Sequence, residues 1–353
     1  MSFMPNMRTS ARVVQGVGST KSRIAIVGGI TSAFDEMAGL PFQGSSGTVI
    51  EQCLHFAGLI RGECYMTNLF KQRSGSKYRY GDERGPVPEW FNEKQGKFTP
   101  EGERWVRRLR DELDDVEANV IVACGKAASV ALTGLQKIGD RRGYVFESVG
   151  LQQVRKVIPT QDPSKAERGN FTYRYMIMQD LGKAKRNQHT RMFERPERQL
   201  VCNFTGVEEC LQWLDYFENN DKPLSVDIEV LHYEMASIQF SCDPAIAAFI
   251  PIEGKWTEDE EVLIWRAIQR ILNKPTKKVL QNGIFDIHFL ATKCGLMVNG
   301  GAAPAEYLED TMIGHSVMYP ELPKGLGFLG SLYCGNQEYW KDKADFNNIK
   351  GES

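Results

Sequence analysis

Two short apolar segments that each run into a glycine constrain the fold of this chain more than any other feature. They are residues 23–29 and 119–125. Short runs of aliphatic, largely β-branched side chains predict strands that are buried on both faces. Between them, Thr99 and Pro100 predict a helix start with a capping hydroxyl, and a helical pattern begins at Lys126, directly after the second segment. Strands that alternate with helices predict an α/β fold with a parallel sheet.

A change of composition divides the chain, whose 353 residues are long for one domain. Residues 183–199 carry six basic side chains against two acidic ones. This stretch is either a solvated connector or a segment that contacts phosphate groups, and the sequence leaves both interpretations open. We predict a flexible tail over 1–20, a first α/β domain over 21–182, a basic linker over 183–203 and a second α/β domain over 204–353.

The formal net charge of −2 excludes a strongly basic protein. Any nucleic-acid contact must therefore come from local patches and not from the field of the whole molecule. The eight cysteines form no C-x-x-C pair and have no zinc-binding spacing, so we predict reduced, buried thiols in a cytoplasmic protein. The sequence has no run of eighteen apolar residues and no apolar signal segment, so we expect no membrane partner.

One predicted strand of the second domain carries two acids on the same face. Residues 224–230 alternate, so Asp227 and Glu229 point to one side and the aliphatic side chains point to the other. Two neighbouring carboxylates repel each other, so they need a cation or a raised pKa. Asp286 follows the strand predicted over 278–282, in the first turn of a helix, where it can face them. Mg²⁺ prefers carboxylate oxygens, so the three acids predict a divalent-metal site.

These acids belong to a series of motifs that occur in order along the second domain. The motifs are DIE at residues 227–229, NGIFD at 282–286, EDTMIGH at 309–315 and LPKGL at 322–326. The series resembles the proofreading 3′→5′ exonuclease domains of phage-type family A DNA polymerases, which belong to the DEDD superfamily. This resemblance spans residues 222–335. It implies a mixed α/β, RNase H-like domain that acts on single-stranded 3′ ends of DNA during replication.

The resemblance also implies roles for individual residues. Asp227, Glu229 and Asp286 would be the catalytic carboxylates and would bind two Mg²⁺ or Mn²⁺ ions, about 3.5–4 Å apart, for phosphodiester hydrolysis. Asn282 and Phe285 would contact DNA. The basic stretch offers further DNA contacts through Lys183, Lys185, Arg186 and Arg191.

A fourth carboxylate is missing from the motif series. The family carries a third motif, Tyr-x-x-x-Asp or His-x-x-x-x-Asp, and neither occurs after Asp286; Asp342 and Asp345 have the wrong spacing. Asp310 starts a predicted helix, so we interpret it as an N-cap and not as a metal ligand. Either a longer polymerase chain or a partner polypeptide supplies the missing motif, or the nuclease is crippled. We predict weak or no exonuclease activity for this chain alone, and the host-cell cytoplasm as its location if it is viral.

A second series of motifs occurs in the first domain. Residues 27–47 form a glycine-rich turn and loop, YMTNLFK stands at 65–71, a strand and helix start stand at 120–128, Arg-Gly stands at 142–143, and PTQDPS stands at 159–164. In this order they resemble uracil-DNA glycosylases of families four and five. The resemblance implies a parallel-sheet glycosylase fold in which a flipped base is stacked on an aromatic ring and read along its edge.

The chemistry of that family is not retained at two positions. By resemblance, Phe42 would be the stacking ring and Asn68 the edge reader, but Gly29 replaces an acidic or amide residue and Asp162 replaces a histidine. Gln72 stands where one cysteine of an iron–sulfur cluster is expected, so we expect no cluster. We predict a degenerate uracil pocket, which either binds a base or a DNA end or serves only to dock another replication protein. An active uracil-DNA glycosylase and a non-catalytic DNA- or polymerase-binding module remain as alternatives.

Overall fold

The computed structural model describes residues 12–73, 90–136, 139–167, 171–193, 197–301 and 307–335. The chain divides into two compact units. The first unit consists of Met1–Glu194 together with Gly327–Ser353, and the second unit is Arg195–Leu326. The first unit is therefore built from two separate segments of the chain, whereas the sequence predicted that everything after residue 204 belongs to the second domain.

The first unit alternates strands and helices as predicted. Its strands are β1 (Ile24–Ile30), β2 (Cys64–Phe70), β3 (Phe91–Asn92), β4 (Lys97–Phe98), β5 (Val120–Cys124), β6 (Phe146–Glu147) and β7 (Lys156–Thr160). Its helices are α1 (Ala33–Ala38), α2 (Gly44–Phe56), α3 (Pro100–Asp114), α4 (Lys126–Thr133), α5 (Pro163–Glu167) and α6 (Phe171–Asn187). The predicted start of α3 is confirmed, because Thr99 caps the helix by accepting a hydrogen bond from the Gly102 amide.

The main sheet of the first unit has the strand order β2-β1-β5-β7-β6, and all pairs are parallel except the edge pair β6–β7. Alternate residues of β1 face opposite layers of helices. Ala25 and Val27 share a buried cluster with Leu109 of α3, while Ile24 and Ile26 share another with side chains of α2 and α6. Both faces of the sheet are covered, which explains why its strands are continuously apolar. The predicted parallel α/β fold is confirmed.

The second unit is a mixed sheet with helices packed on its apolar face. Its strands are β8 (Gln199–Val201), β9 (Leu224–Leu231), β10 (Glu234–Asp243), β11 (Ile246–Pro251), β12 (Lys278–Leu280) and β13 (Leu308–Asp310). Its helices are α7 (Val207–Glu218), α8 (Glu258–Asn273), α9 (Ile284–Lys293) and α10 (Thr311–Met318). The strand order is β13-β12-β9-β10-β11-β8, in which β9, β10 and β11 are antiparallel and the other neighbours are parallel. The predicted mixed α/β fold is confirmed.

A last helix, α11 (Leu326–Tyr333), follows the second unit. Two predicted boundaries need correction. Residues 183–187 are the last turn of α6 and not part of a linker, because the apolar face of that helix continues to pack through Ala184. The end of the predicted tail is ordered, because the amides of Val14 and Val17 donate to the carbonyls of Lys71 and Met66, both at 2.8 Å.

Among the described helices, none is both long and apolar enough to cross a membrane. The eight cysteines are free thiols, of which five are buried, two are partly buried and Cys202 is exposed. The prediction of buried thiols is therefore wrong for Cys202, which lies just after the edge strand β8.

Candidate functional site

The acidic face of β9 arises from the two-residue repeat of the strand. Val226 and Ile228 are buried in the core of the second unit, while Asp227 and Glu229 are exposed on the opposite face of the sheet. Because the apolar side chains fix the register of the strand, they also fix the spacing of the two acids. The predicted arrangement of this strand is therefore present in the fold.

Asp286 reaches the same strand from the first turn of α9. The chain turns sharply from β12 into α9, with Asn282 in the left-handed region at φ 59° and Gly283 as the N-cap. The Asp286 side chain is 5 % exposed, and its Oδ1 accepts a hydrogen bond of 3.1 Å from the Ile228 amide. Since Ile228 lies between Asp227 and Glu229, this bond brings the third carboxylate to the two acids of β9.

Burial and neighbouring carboxylates raise the pKa values of Asp227 and Asp286. The pKa of Asp227 is raised to about 6, first by removal of hydrating water and then by the charges of Asp286 and Glu229. Burial is also the largest cause that raises the pKa of Asp286, and the Ile228 amide opposes it. Among the described residues, no lysine or arginine forms an ion pair with these acids. The site therefore holds negative charge without a protein cation.

The donor chemistry fits a hard divalent cation, since Mg²⁺ and Mn²⁺ prefer carboxylate oxygens. The donor atoms are of a suitable kind, but their placement does not form a complete set of metal ligands. In the part of the chain that the structure describes, no group of three or more His, Cys, Asp or Glu side chains is placed to hold a metal ion. Asp227, Glu229 and Asp286 are thus neighbours that are not yet assembled as a ligand set.

Asp310 has a structural role next to this site. Its Oδ1 accepts from the amides of Met312 at 2.8 Å and Ile313 at 3.3 Å, which caps α10, and the predicted N-cap is confirmed. The same carboxylate also accepts from the amides of Asn282 at 3.2 Å and Gly283 at 2.8 Å. One side chain therefore holds the start of α10 and the turn that leads into α9.

The predicted DNA contacts of the second unit are accessible. Asn282 is exposed at the turn before α9, and Phe285 is 50 % exposed in the first turn of that helix. Asp342 and Asp345, whose spacing does not fit the third motif, lie outside the described residues.

The basic side chains predicted to contact DNA differ in their exposure and in their hydrogen-bond partners. Lys185 and Arg186 are exposed on α6, and Lys185 donates to the Gly58 carbonyl at 2.7 Å. Arg191 is half-buried and donates to Asn119 Oδ1 at 3.2 Å. The prediction that Lys183 contacts DNA is wrong, because this side chain is 2 % exposed and its ammonium donates to three backbone carbonyls.

Two polar residues beside the acids were missed by the sequence reasoning. In the register of β9 and β10, Gln239 lies opposite Asp227 and Ser237 lies opposite Glu229, so all four side chains share one face. Gln239 Nε2 donates to Ser237 Oγ at 2.7 Å, and its buried Oε1 has no hydrogen-bond partner within the described ranges. The alternation of polar residues in MASIQFS was the available signal, but pairing with β9 cannot be seen in one strand alone.

The residues of the predicted uracil pocket meet at the carboxyl ends of the parallel strands. Asn68 of β2 pairs with Gly28 of β1, and both Asn68 and Phe42 are buried. A Cβ atom added to Gly28 would overlap Asn68 Oδ1 and lie 2.9 Å from Phe42 Cζ, so the ring and the amide both reach this glycine. Asn68 Nδ2 donates to Asp35 Oδ2 at 3.3 Å.

Gly29 and Asp162 lie at the same ends of the strands. A Cβ atom on Gly29 would meet nothing within 4 Å, so the missing acidic or amide side chain leaves open space. Asp162 follows β7, and its Oδ1 accepts from the Ser164 amide at 2.9 Å. Asp162 also packs against the backbone at Gly125, because a Cβ atom added to Gly125 would lie 3.3 Å from the Cβ atom of Asp162.

Comparison with protein families divides the chain between residues 191 and 205, close to the start of the second unit. The model of the uracil DNA glycosylase superfamily matches residues 15–191, slightly more than half of the chain. The chain belongs to the uracil DNA glycosylase superfamily. A second model, described as 3′-5′ exonuclease, matches residues 205–348, so the glycosylase-superfamily domain is followed by a 3′-5′ exonuclease domain.

Several curated members of the superfamily are similar to the first domain. The type-4 uracil-DNA glycosylase of Archaeoglobus fulgidus is 29 % identical over 162 residues, which cover 44 % of this chain and 73 % of that protein. The type-4 uracil-DNA glycosylase of Thermotoga maritima is 28 % identical over 176 residues, which cover 49 % of this chain and 81 % of that protein.

Solved structures of exonuclease domains are also similar to part of the chain. The EXO domain of Aedes aegypti Nibbler aligns with a TM-score of 0.33 and 14 % identity, covering 46 % of this chain and 78 % of that one. The EXD2 exonuclease domain soaked in Mn and GMP aligns with a TM-score of 0.25 and 16 % identity, covering 37 % of this chain and 68 % of that one.

Proposed function

We propose that this chain is the 3′→5′ proofreading exonuclease portion of a family A replicative DNA polymerase of the bacteriophage type, acting on single-stranded 3′ ends of DNA. The observation that supports this most is the placement of Asp286, whose carboxylate is bonded to the backbone between Asp227 and Glu229. The 3′-5′ exonuclease match over residues 205–348 supports the same activity. A set of acids without a protein cation is the donor set that metal-assisted phosphodiester hydrolysis uses.

In this proposal Asp227, Glu229 and Asp286 hold two Mg²⁺ or Mn²⁺ ions. When bound, the ions would supply Lewis-acid chemistry that activates the attacking water and stabilises the leaving oxygen. The side chains of the chain itself orient the substrate. Phe285 offers an exposed ring on which a terminal base can stack, and Asn282 presents an amide next to it. Lys185 and Arg186 are accessible for phosphate contacts.

A second polypeptide, or a further part of the polymerase, completes the site in this proposal by supplying Tyr-x-x-x-Asp. Support comes from the sequence, in which neither Tyr-x-x-x-Asp nor His-x-x-x-x-Asp follows Asp286. Because a metal ion lacking one carboxylate ligand is held less firmly and less precisely, the chain alone is expected to be weak or inactive.

The test is stepwise shortening of a 5′-labelled DNA with single-stranded 3′ ends, in Mg²⁺ or Mn²⁺, with and without a polypeptide that carries the Tyr-x-x-x-Asp motif. We expect little shortening by the chain alone and at least tenfold faster shortening in the presence of that polypeptide. Asp286→Ala is expected to abolish shortening in both conditions.

Asp215→Ala is the matched control, because Asp215 is an exposed acid of the same unit on α7, away from the acidic face of β9. It should retain full activity. If neither condition shortens the DNA, or if Asp286→Ala shortens it as fast as the parent, the nuclease proposal fails.

A second candidate function is a non-catalytic DNA-binding module, and the meeting of Phe42 and Asn68 over Gly28 favours it. Such a pocket can hold a flipped base without cleaving it. DNA binding that survives EDTA and is lost in Asn68→Ala would support the module. Release of free uracil from a uracil-containing strand would instead indicate a glycosylase, despite Gly29 and Asp162.

A further inference from the structure

The helix α11 packs into the first unit although it follows the whole second unit in the sequence. Leu329, Ser331 and Leu332 are buried. A helix of 8 residues is too short to be stable alone in water, so its order depends on the surface against which it packs. We call that surface the α11 groove. It consists of Arg142, Gly143, Tyr144, Asp180 and Lys183.

Arg142 connects α11 to α6 inside this groove. Its guanidinium is 2 % exposed, and it donates to Ser331 Oγ at 2.5 Å and to Asp180 Oδ1 at 2.5 Å. The same guanidinium lies 4.8 Å from the centre of the Phe328 ring. The Arg142 guanidinium is thus stabilised by Asp180 of the same unit and by the Ser331 and Phe328 side chains of α11.

Lys183 binds the end of the docked segment. Its Nζ donates to the carbonyls of Ser331 at 2.5 Å and Cys334 at 2.8 Å, as well as to that of Gly143 at 2.7 Å. The carbonyls at the end of a helix have no partner within the helix and carry the negative end of its dipole. A buried ammonium without these acceptors would be strongly unfavourable, so the groove requires an occupant with free carbonyls.

The groove and the helix approach each other through glycines on both sides. Gly143 has a φ of +75°, and a Cβ atom there would lie 3.1 Å from the Ser331 carbonyl oxygen. A Cβ atom on Gly330 would lie 2.5 Å from the Tyr144 hydroxyl oxygen, and that hydroxyl donates to the Gly327 carbonyl at 2.7 Å. The shape and the hydrogen-bonding groups of the α11 groove therefore match residues 327–334.

We propose that the α11 groove is a receptor for residues 327–334, so that the glycosylase-superfamily domain holds the chain segments both before and after the compact second unit. The occupant is this segment of the chain itself. The proposal does not depend on whether either unit is catalytically active. It assigns the first domain an interaction surface that is separate from the pocket formed by Phe42 and Asn68.

The test uses the full chain with a protease site inserted after Glu197, which is exposed and outside regular structure. After cleavage, the fragments are diluted and examined by native size-exclusion chromatography. We expect them to elute together, because residues 327–334 of the second fragment remain bound to the first. Elution of the two wild-type fragments as separate species at micromolar concentration would overturn the proposal.

Three variants identify the contact that holds the fragments. Gly330→Ala is expected to weaken their association roughly tenfold, because its methyl group would press on the buried Tyr144 hydroxyl. Gly335→Ala is the control, since a Cβ atom there meets nothing within 4 Å, and it should change nothing. Adding Tyr144→Phe to Gly330→Ala removes the blocking oxygen and should restore part of the association. Unchanged association in Gly330→Ala would mean that other contacts hold the fragments, which would also overturn the proposal.

Discussion

Gly28 and Gly29 are neighbours in the sequence but have different surroundings. A methyl group on Gly28 would overlap Asn68 Oδ1 and press on the Phe42 ring, whereas one on Gly29 points into open space. We therefore expect Gly28→Ala to lower the free energy of unfolding by about 1–3 kcal/mol and Gly29→Ala to change it by less than about 0.5 kcal/mol. Urea denaturation of the two variants checks this, and equal losses would contradict the packing of Asn68 and Phe42 around Gly28.

The raised pKa of Asp227 predicts how the stability of the second unit depends on pH. A carboxyl group whose pKa is raised to about 6 in the folded state, from an ordinary value of 3.8, favours the folded state when it is neutral. That contribution is complete below pH 4 and is lost as the pH rises through 6. Asp227→Asn is neutral at every pH, so it should melt at a higher temperature than the parent at pH 8 without metal. The difference should vanish at pH 4.

A control of opposite sign is available on the same unit. Asp221 is bonded to Lys274 at 2.8 Å, which lowers its pKa, so Asp221→Asn should lose a small amount of stability at pH 8. Adding Mn²⁺ at pH 8 should raise the melting temperature of the parent more than that of Asp227→Asn. If Asp227→Asn is no more stable than the parent at pH 8, the raised pKa of Asp227 in the folded state is contradicted.

For single residues, the sequence predicted well on which side of a strand a side chain lies, but it predicted the burial of charged side chains poorly. Asp227 and Glu229 could be placed on one face because a strand has a period of two. The sequence places Lys183 in a basic stretch and predicts a DNA contact for it, but two of its three acceptors are carbonyls about 150 residues further along the chain. No local pattern contains such a partner, so the burial of Lys183 could not be predicted.

Among the elements, the connection between α9 and α10 depends on one carboxylate. Asp310 accepts hydrogen bonds from the first amides of α10 and from the Asn282 and Gly283 amides before α9. Asp310→Ala would leave these donors without that acceptor, and we expect a loss of about 2–3 kcal/mol in urea denaturation. Asp310→Asn keeps one acceptor oxygen and should lose less. Similar losses in both variants would show that the acceptor oxygen retained in Asp310→Asn contributes little, which would contradict this expectation.

The helix starts and strands could be predicted from capping residues and periodicity, which are local. Thr99 and Asp310 were both expected as N-caps, and both accept hydrogen bonds from the first turns of their helices. The pairing of strands is not local. Gln239 was therefore not connected with Asp227, although the two residues are opposite each other in β9 and β10.

For the whole molecule, the domain boundary is where sequence patterns fail. The 3′-5′ exonuclease family extends to residue 348, whereas the compact second unit ends at Leu326. The motif LPKGL and the helix after it continue the exonuclease pattern in sequence, but α11 contributes its buried side chains to the first unit. Chain order cannot reveal this, because the partners in the α11 groove lie far upstream.

Each unit has a separate hydrophobic core, which predicts two steps of thermal unfolding. One core is formed around β9, β10, α7 and α8, and the others surround the parallel sheet of the first unit. We expect differential scanning calorimetry to resolve two transitions, with Gly28→Ala lowering only one and Asp310→Ala lowering only the other. A single transition lowered by both variants would show that the units unfold together.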